Sequence, residues 1–276
     1  MFSVLLCVYG KDDPILFQEA IDSIYKQTLL PGEIVVVVDG PVPEYIDQCL
    51  FNMALDSKRY NIKLKTFRLA KNVGHGEARN YGVKNCEHEI VFLCDADDIN
   101  TPNRFSRQLP VIEESESISV VGSDIKEVLK KSGSTIGKRE VKEFHEDIIY
   151  DMTFRCPFNQ MSVALRKSHV EAVGGYRTVY NNEDYDLWIR LAKSGSRFRN
   201  LKESLVYATV NEDFYKRRGG LKYFLSETKM QALLYRSGYA SLWRVTTNIM
   251  KRFVVQVMMP GSIRQKIFLK FARVSV

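Results

Sequence analysis

Residues 95–98 read Asp-Ala-Asp-Asp and directly follow an apolar run, Glu89–Cys94 (EIVFLC). Carboxylates two positions apart on an extended turn point into one space. They repel unless a cation lies between them, and hard oxygen ligands of this kind suit Mg2+ or Mn2+. A metal held there neutralises a diphosphate and acts as a Lewis acid on a leaving group. An acidic loop that caps the helix beginning near Pro102 accounts for the same residues equally well. A second acidic pair, Glu183-Asp184, opens a stretch in which Leu187, Trp188 and Leu191 fall at helical spacing. A helix N-terminus keeps a carboxylate ionised, and an ionised carboxylate can take a proton from a hydroxyl nucleophile. An ordinary acidic first turn explains the pair as well. Gly74-His75-Gly76 has no Walker lysine at the required spacing, so it is not a P-loop. The four histidines, His75, His88, His145 and His169, form no metal-ligand pattern, and His75 reads as a loop residue.

The elements that must position these residues read as alternating strands and helices. Phe2–Val8 and Glu33–Val38 are short apolar runs without polar alternation, as buried strands are; the second ends at Asp39-Gly40. Asp12, Asp13 and Pro14 open a helix whose apolar stripe is Phe17, Ile21, Ile24 and Tyr25. Lys63–Leu69 is a third strand, the glycines at 74 and 76 lead into a helix with Arg79, and Glu89–Cys94 is a fourth strand. This alternation predicts an α/β fold with a mostly parallel sheet flanked by helices, and such sheets bind ligands at the carboxyl ends of their strands. Those ends carry Tyr9, Asp39 and Asp95–Asp98. Farther on, the pattern predicts strands at Ile118–Gly122, Met161–Leu165 and Leu205–Val210. It also predicts a hairpin or exposed loop over Lys130–Lys142 and a helix over Glu183–Lys193 stopped by Gly195.

The chain has 276 residues, 45% hydrophobic and 26% charged, which fits one large α/β domain or one domain with an appendage. The net charge of +7 is unevenly spread: from Lys216 onward there are thirteen Lys/Arg and a single acid, Glu227. A basic tail on a mildly acidic domain points to an anionic partner. Leu242, Val245, Ile249 and Phe253 recur at helical spacing among basic residues, as in a segment lying on an anionic membrane; helices packed on the domain fit the same pattern. No nucleic-acid recognition motif accompanies the charge. The five cysteines are odd in number and lack CxxC spacing, which predicts reduced thiols in a cytoplasmic protein. No signal peptide is visible, and no apolar stretch approaches the ~20 residues that cross a bilayer.

Six pieces stand in a fixed order: SVLLCVYG (3–10), VVVVDG (35–40), NVGHGEARNYG (72–82), FLCDADD (92–98), GGY (174–176) and NEDYDLW (182–188). In this order the sequence resembles family 2 glycosyltransferases of the GT-A fold, and looks most similar to bacterial enzymes of O-antigen and capsular polysaccharide assembly. The resemblance covers residues 1–215, with a nucleotide-binding half (about 1–100) and an acceptor half (about 101–215), and leaves 216–276 as a basic helical extension. It implies that Asp39 accepts a hydrogen bond from the nucleotide base, with Tyr9 near that base and Arg79 lending positive charge beside the nucleotide. It implies that Asp95 contacts ribose or metal, that Asp97 is the principal ligand of Mn2+ or Mg2+, and that Asp184 is the catalytic base. Asn159 and Gln160 border the donor sugar, Glu183 and Trp188 are further contacts, and Arg217 and Arg218 are candidates for a diphosphate clamp. Many GT-A enzymes complete the metal shell with a His after the last strand. This chain's last histidine is His169, so Asp213 or water would take that place. The implied reaction moves a hexose or N-acetylhexosamine from a UDP-linked donor to a polyprenyl-diphosphate-linked sugar, with inversion, at the inner face of the cytoplasmic membrane. Two rivals are a sugar nucleotidyltransferase, whose glycine-rich basic signature is missing after the first strand, and a non-catalytic nucleotide-sugar-binding protein of the same fold.

Overall fold

The computed structural model describes residues 1–130, 132–210 and 219–260. Among the described residues nine strands form one sheet in the order β3-β2-β1-β4-β8-β6-β9-β5, where β5 is the two-residue strand Ile99–Asn100, with β7 paired to β6. The first four strands are β1 (Ser3–Tyr9), β2 (Glu33–Asp39), β3 (Lys63–Arg68) and β4 (Ile90–Asp95), all mutually parallel. Because β1 lies between β2 and β4, with Tyr9 opposite Asp39 and Cys7 opposite Asp95, three polar strand ends share one rim of the sheet.

Alternation along these strands divides the interior. Val4, Leu6, Val8, Ile34, Val36, Val38 and Phe92 face α1 (Pro14–Tyr25), α2 (Glu44–Arg59) and α4 (Arg104–Glu113). Leu5, Val35, Val37, Val91 and Leu93 face the opposite layer, which holds α3 (His75–Asn85), α5 (His145–Met152), α6 (Lys167–Ala172) and α7 (Glu183–Lys193). Asp13 caps α1, its Oδ1 accepting from the N–H groups of Ile15 (2.9 Å) and Leu16 (3.4 Å). In α3, a Cβ on Gly82 would lie 2.3 Å from Leu5 Cδ1, so glycine lets this helix sit directly on β1.

Beyond β4 the sheet turns mixed. β8 (Ala164–Arg166) runs antiparallel to both β4 and β6 (Ile118–Leu129), and β6 pairs parallel with β9 (Arg197–Val210). The fully buried Arg104 guanidinium stitches this seam, donating to the carbonyls of Leu93 (2.9 Å) and Val163 (3.3 Å). The segment read as a hairpin or exposed loop contains β7 (Thr135–Arg139), antiparallel to β6. Three expectations shift. β6 and β9 run well past the predicted spans, the helix after Pro102 begins at Arg104, and α2 carried no prediction.

The basic extension contributes α8 (Leu221–Arg236) and α9 (Leu242–Phe253). Their Met230, Leu234 and Val245 join the same core as Phe158 and Trp188. The predicted apolar stripe of α9 divides. Val245 is buried and Ile249 half-buried, but Leu242 and Phe253 are exposed beside Trp243 and Met250. Polar Asn248 lies inside instead, donating to Thr153 O (2.8 Å) and Gln231 Oε1 (2.9 Å). The single acid of the extension, Glu227, is buried against Arg252 Nε at 2.7 Å. Arg252 in turn donates to the carbonyl of Phe154.

Candidate active site

At the rim made by β1 and β2, the Asp39 carboxylate orders the loop that leads into α3. Its Oδ1 accepts from the Val73 N–H (2.7 Å) and its Oδ2 from the Gly74 N–H (3.0 Å). Gly40 has φ +87°, and a Cβ there would lie 2.6 Å from Asn72 N, so the Asp39-Gly40 pair sets this close approach. The loop closes one side of a pocket lined by Cys7, Tyr9, Asp39, Asn72, Gly74 and His75. The Tyr9 and His75 rings stand edge to face at 6.0 Å. Burial pushes the Cys7 thiol up to about 12, so it is an inert wall of the pocket.

At the end of β4, Asp12 and Asp98 each lie within electrostatic reach of Asp95 and Asp97. Asp98 is buried and accepts from the Thr209 N–H at 2.7 Å; burial, Asp97 and Asp95 hold it well above the usual carboxylate range. Asp12 accepts from the Tyr9 N–H at 2.9 Å, and burial with Asp97 and Asp95 pushes it up to about 7. Asp97 itself is exposed. Like charges held this close favour a bound cation. Among the described residues no three His, Cys, Asp or Glu side chains converge as a ready-made metal shell. The donor set therefore fits a Mg2+ or Mn2+ that takes one or two protein carboxylates and completes its shell with phosphate oxygens and water.

Arg79 joins this group to the other acidic motif. Its buried guanidinium donates to Asp95 Oδ1 (2.9 Å) and Glu183 Oε1 (3.4 Å). Burial and the adjacent Asp184 raise Glu183, and Arg79 opposes that rise. Asp184 Oδ1 accepts from the Tyr185 N–H at 2.7 Å. Gln160 Nε2 donates to the buried Tyr176 hydroxyl (2.8 Å), and Tyr176 lies within electrostatic reach of Arg79, Glu183 and Asp184. Two acid clusters are thus joined through one buried guanidinium.

The chain matches the glycosyl transferase family 2 model over residues 3–174. The chain belongs to glycosyltransferase family 2. A similar protein of Escherichia coli is the UDP-Gal:alpha-D-GlcNAc-diphosphoundecaprenol beta-1,3-galactosyltransferase, 36% identical over 99% of this chain and 96% of that one. The amylovoran biosynthesis glycosyltransferase AmsE of Erwinia amylovora is 31% identical over 98% of both chains. Among solved structures, the mannosyltransferase PcManGT of Pyrobaculum calidifontis in complex with GDP-Man and Mn2+ superposes with a TM-score of 0.66. It is 15% identical and covers 99% of this chain and 76% of its own. That likeness shows the GT-A fold.

Within this glycosyltransferase the structure brings Tyr9, Asp39, Asp95 and Asp97 to one rim, and Glu183, Asp184 and Gln160 to its neighbour. Two expected contacts are corrected. Trp188 is fully buried, its ring edge to face with Phe158 at 5.1 Å, so it is core and meets no substrate. Asn159 is fully buried too. Its Nδ2 donates to Ser123 O (2.8 Å) and its Oδ1 accepts from Arg139 Nη1 (2.6 Å), so it builds the loop instead of meeting the donor sugar. Arg79 is buried between two carboxylates, Asp95 and Glu183. Asp213, Arg217 and Arg218 lie outside the described residues. Asp12 carried no site assignment; its only signal was its place just past the end of β1. Cys156, with Sγ 3.4 Å from Asp184 Oδ2, gave none.

Proposed function

We propose that the enzyme moves a hexose from a UDP-linked donor to a hydroxyl of a lipid-diphosphate-linked sugar, in surface polysaccharide assembly, by one inverting displacement. The observation that supports this reading is the Arg79 bridge, whose guanidinium meets both Asp95 of the β4 acid cluster and Glu183 beside Asp184. Tyr9 and Asp39 flank the nucleotide base. Asp97, assisted by Asp95, holds Mn2+ or Mg2+; when bound, the metal neutralises the leaving diphosphate. Asp184 takes the proton from the acceptor hydroxyl, and attack opposite the diphosphate turns an α-linked donor into a β-linked product. The name of the Escherichia coli relative supports the donor and acceptor classes, that of AmsE supports polysaccharide assembly, and UDP-Gal is the first donor to test. With UDP-Gal, Mn2+ and a GlcNAc-α-diphosphate lipid, UDP release is expected to depend on the acceptor and to stop on adding EDTA. Release that needs neither acceptor nor metal would sink the reading.

The same reading puts the enzyme on an anionic membrane at the cytoplasmic face, where a lipid-linked acceptor resides. Among the described residues no helix is long and apolar enough to cross a membrane. Trp243 is 78% and Met250 63% exposed on α9, Leu221 and Leu225 are exposed on α8, and Lys222, Lys229 and Lys251 accompany them. Apolar side chains among lysines suit the headgroup boundary of an anionic bilayer. The protein is expected to float with vesicles containing phosphatidylglycerol, and Trp243→Glu with Met250→Glu to remain in the dense fraction. Equal flotation of both would remove α9 from the contact.

A further inference from the structure

The loop that carries Cys156 is pinned from β7. Arg139 donates to the carbonyl oxygens of Cys156 (2.8 Å) and Phe158 (3.1 Å), and to Asn159 Oδ1 (2.6 Å). Pro157 follows directly and confines the Cys156 backbone to extended conformations. The thiol so fixed lies 3.4 Å from Asp184 Oδ2, within reach of an S–H···O bond. The other carboxylate oxygen, Oδ1, is already held by the Tyr185 N–H at 2.7 Å. Each oxygen of Asp184 therefore meets one donor, and the two donors come from different elements.

We propose that Cys156 is a positioning residue for the base: its thiol donates to Asp184 Oδ2 and, with the Tyr185 N–H, holds the carboxylate in one orientation toward the acceptor hydroxyl. This rests on the reading of Asp184 as the base.

Burial and the Asp184 carboxylate hold the thiol well above its ordinary range, so it keeps its proton and serves as a donor, not as a nucleophile. The choice of sulfur has a chemical consequence. A thiol is a weak donor, so it orients the carboxylate while drawing little of the electron density that the base needs. A hydroxyl in its place would bind more strongly and leave the carboxylate less basic. The charged and titratable groups facing the pair are Glu183 and Tyr185 on the same helix, Tyr176 from the segment after α6, and Arg139 from β7. Arg79 faces it across Glu183 and Tyr176. Substitution at 156 leaves all of them in place.

Cys156→Ala and Cys156→Val both remove the donor, and valine keeps most of the packing volume. With UDP-Gal and the GlcNAc-α-diphosphate lipid, each is expected to lower kcat roughly tenfold, a fraction of what a general base supplies. KM for UDP-Gal should stay within about twofold, because the donor pocket is untouched. Cys156→Ser is expected to recover most of kcat and to move the acid-side fall of its pH profile to lower pH. Wild-type kcat in both folded apolar variants, or a serine variant whose profile does not move, would overturn the role of Cys156. Asp184→Asn in the same assay separates the two levels. If it turns over normally the base reading itself fails, whereas an inactive Asp184→Asn beside unaffected Cys156 variants removes only the positioning role.

Discussion

Asp184→Asn is expected to lower turnover by roughly 10²–10⁴-fold while leaving UDP affinity within about twofold of wild type. The amide keeps the size of the side chain, and its oxygen can still accept from the Tyr185 N–H, 2.7 Å away in the acid. What it loses is the capacity to take a proton. In the proposed reading UDP binding draws on a different rim, where Asp39 accepts the Val73 and Gly74 N–H groups and Tyr9 faces His75. Calorimetry with UDP and Mn2+ therefore reports the intact half, and acceptor-dependent UDP release reports the lost one. A variant that binds UDP normally and turns over normally would remove Asp184 from the proposed mechanism.

The rim was legible in the sequence, and the distances explain why. Parallel strands buried on both faces are written as unbroken apolar runs, so β1, β2 and β4 could be placed from Phe2–Val8, Glu33–Val38 and Glu89–Cys94. Their ends then had to lie together, because the site follows the topology. The orientation of a side chain within an element was not legible. Trp188 stands four residues after Asp184 and reads as a neighbour of the site, yet every residue of α7 from Tyr185 to Ala192 is buried, so the helix has no open face to give it. Asn159 borders the same loop, but Arg139, 20 positions away, claims its amide oxygen. That arginine sits in a charged segment read as a hairpin or exposed loop, and nothing local links it to the carbonyls of Cys156 and Phe158. Asp12 met Asp95 and Asp97 only through the folding of β1 against β4.

The extension packs on the domain and still leaves apolar side chains exposed. The charge pattern left membrane contact and packing on the domain as alternatives, and the helices pack while still presenting exposed apolar side chains. Their inward polar groups grip the chain near Asp184 and Cys156. Ser226 donates to Tyr180 O (2.6 Å) and meets the buried Asn182 at 3.0 Å, two residues before Asp184. Asn248 and Arg252 hold the carbonyls of Thr153 and Phe154, just before Cys156. The contacts that secure α8 and α9 are thus contacts to the segments that carry Asp184 and Cys156.

Arg79→Met is expected to be the most destabilising single change in the site, by about 3–5 kcal/mol, because it leaves Asp95 and Glu183 without their buried cation. Methionine retains much of the arginine stem, so the loss reflects charge more than volume. The pH dependence follows from Glu183. Its carboxyl is raised by burial and by Asp184, so its contribution to stability is present below the unfolded value and is lost as pH rises through the raised one. Arg79 limits that loss in the wild type by favouring the ionised form. Without it Glu183 rises further, and the deficit relative to wild type should widen as pH climbs from about 4.5 toward neutrality. Thermal unfolding at pH 5 and pH 8 is the measurement, with Arg79→Met/Glu183→Gln as the companion. The double variant is expected to recover part of the loss at pH 8 and little at pH 5. A deficit of equal size at both pH values, unrelieved by Glu183→Gln, would mean that Arg79 stabilises through packing alone, and that the bridge between the two acid clusters carries no charge coupling.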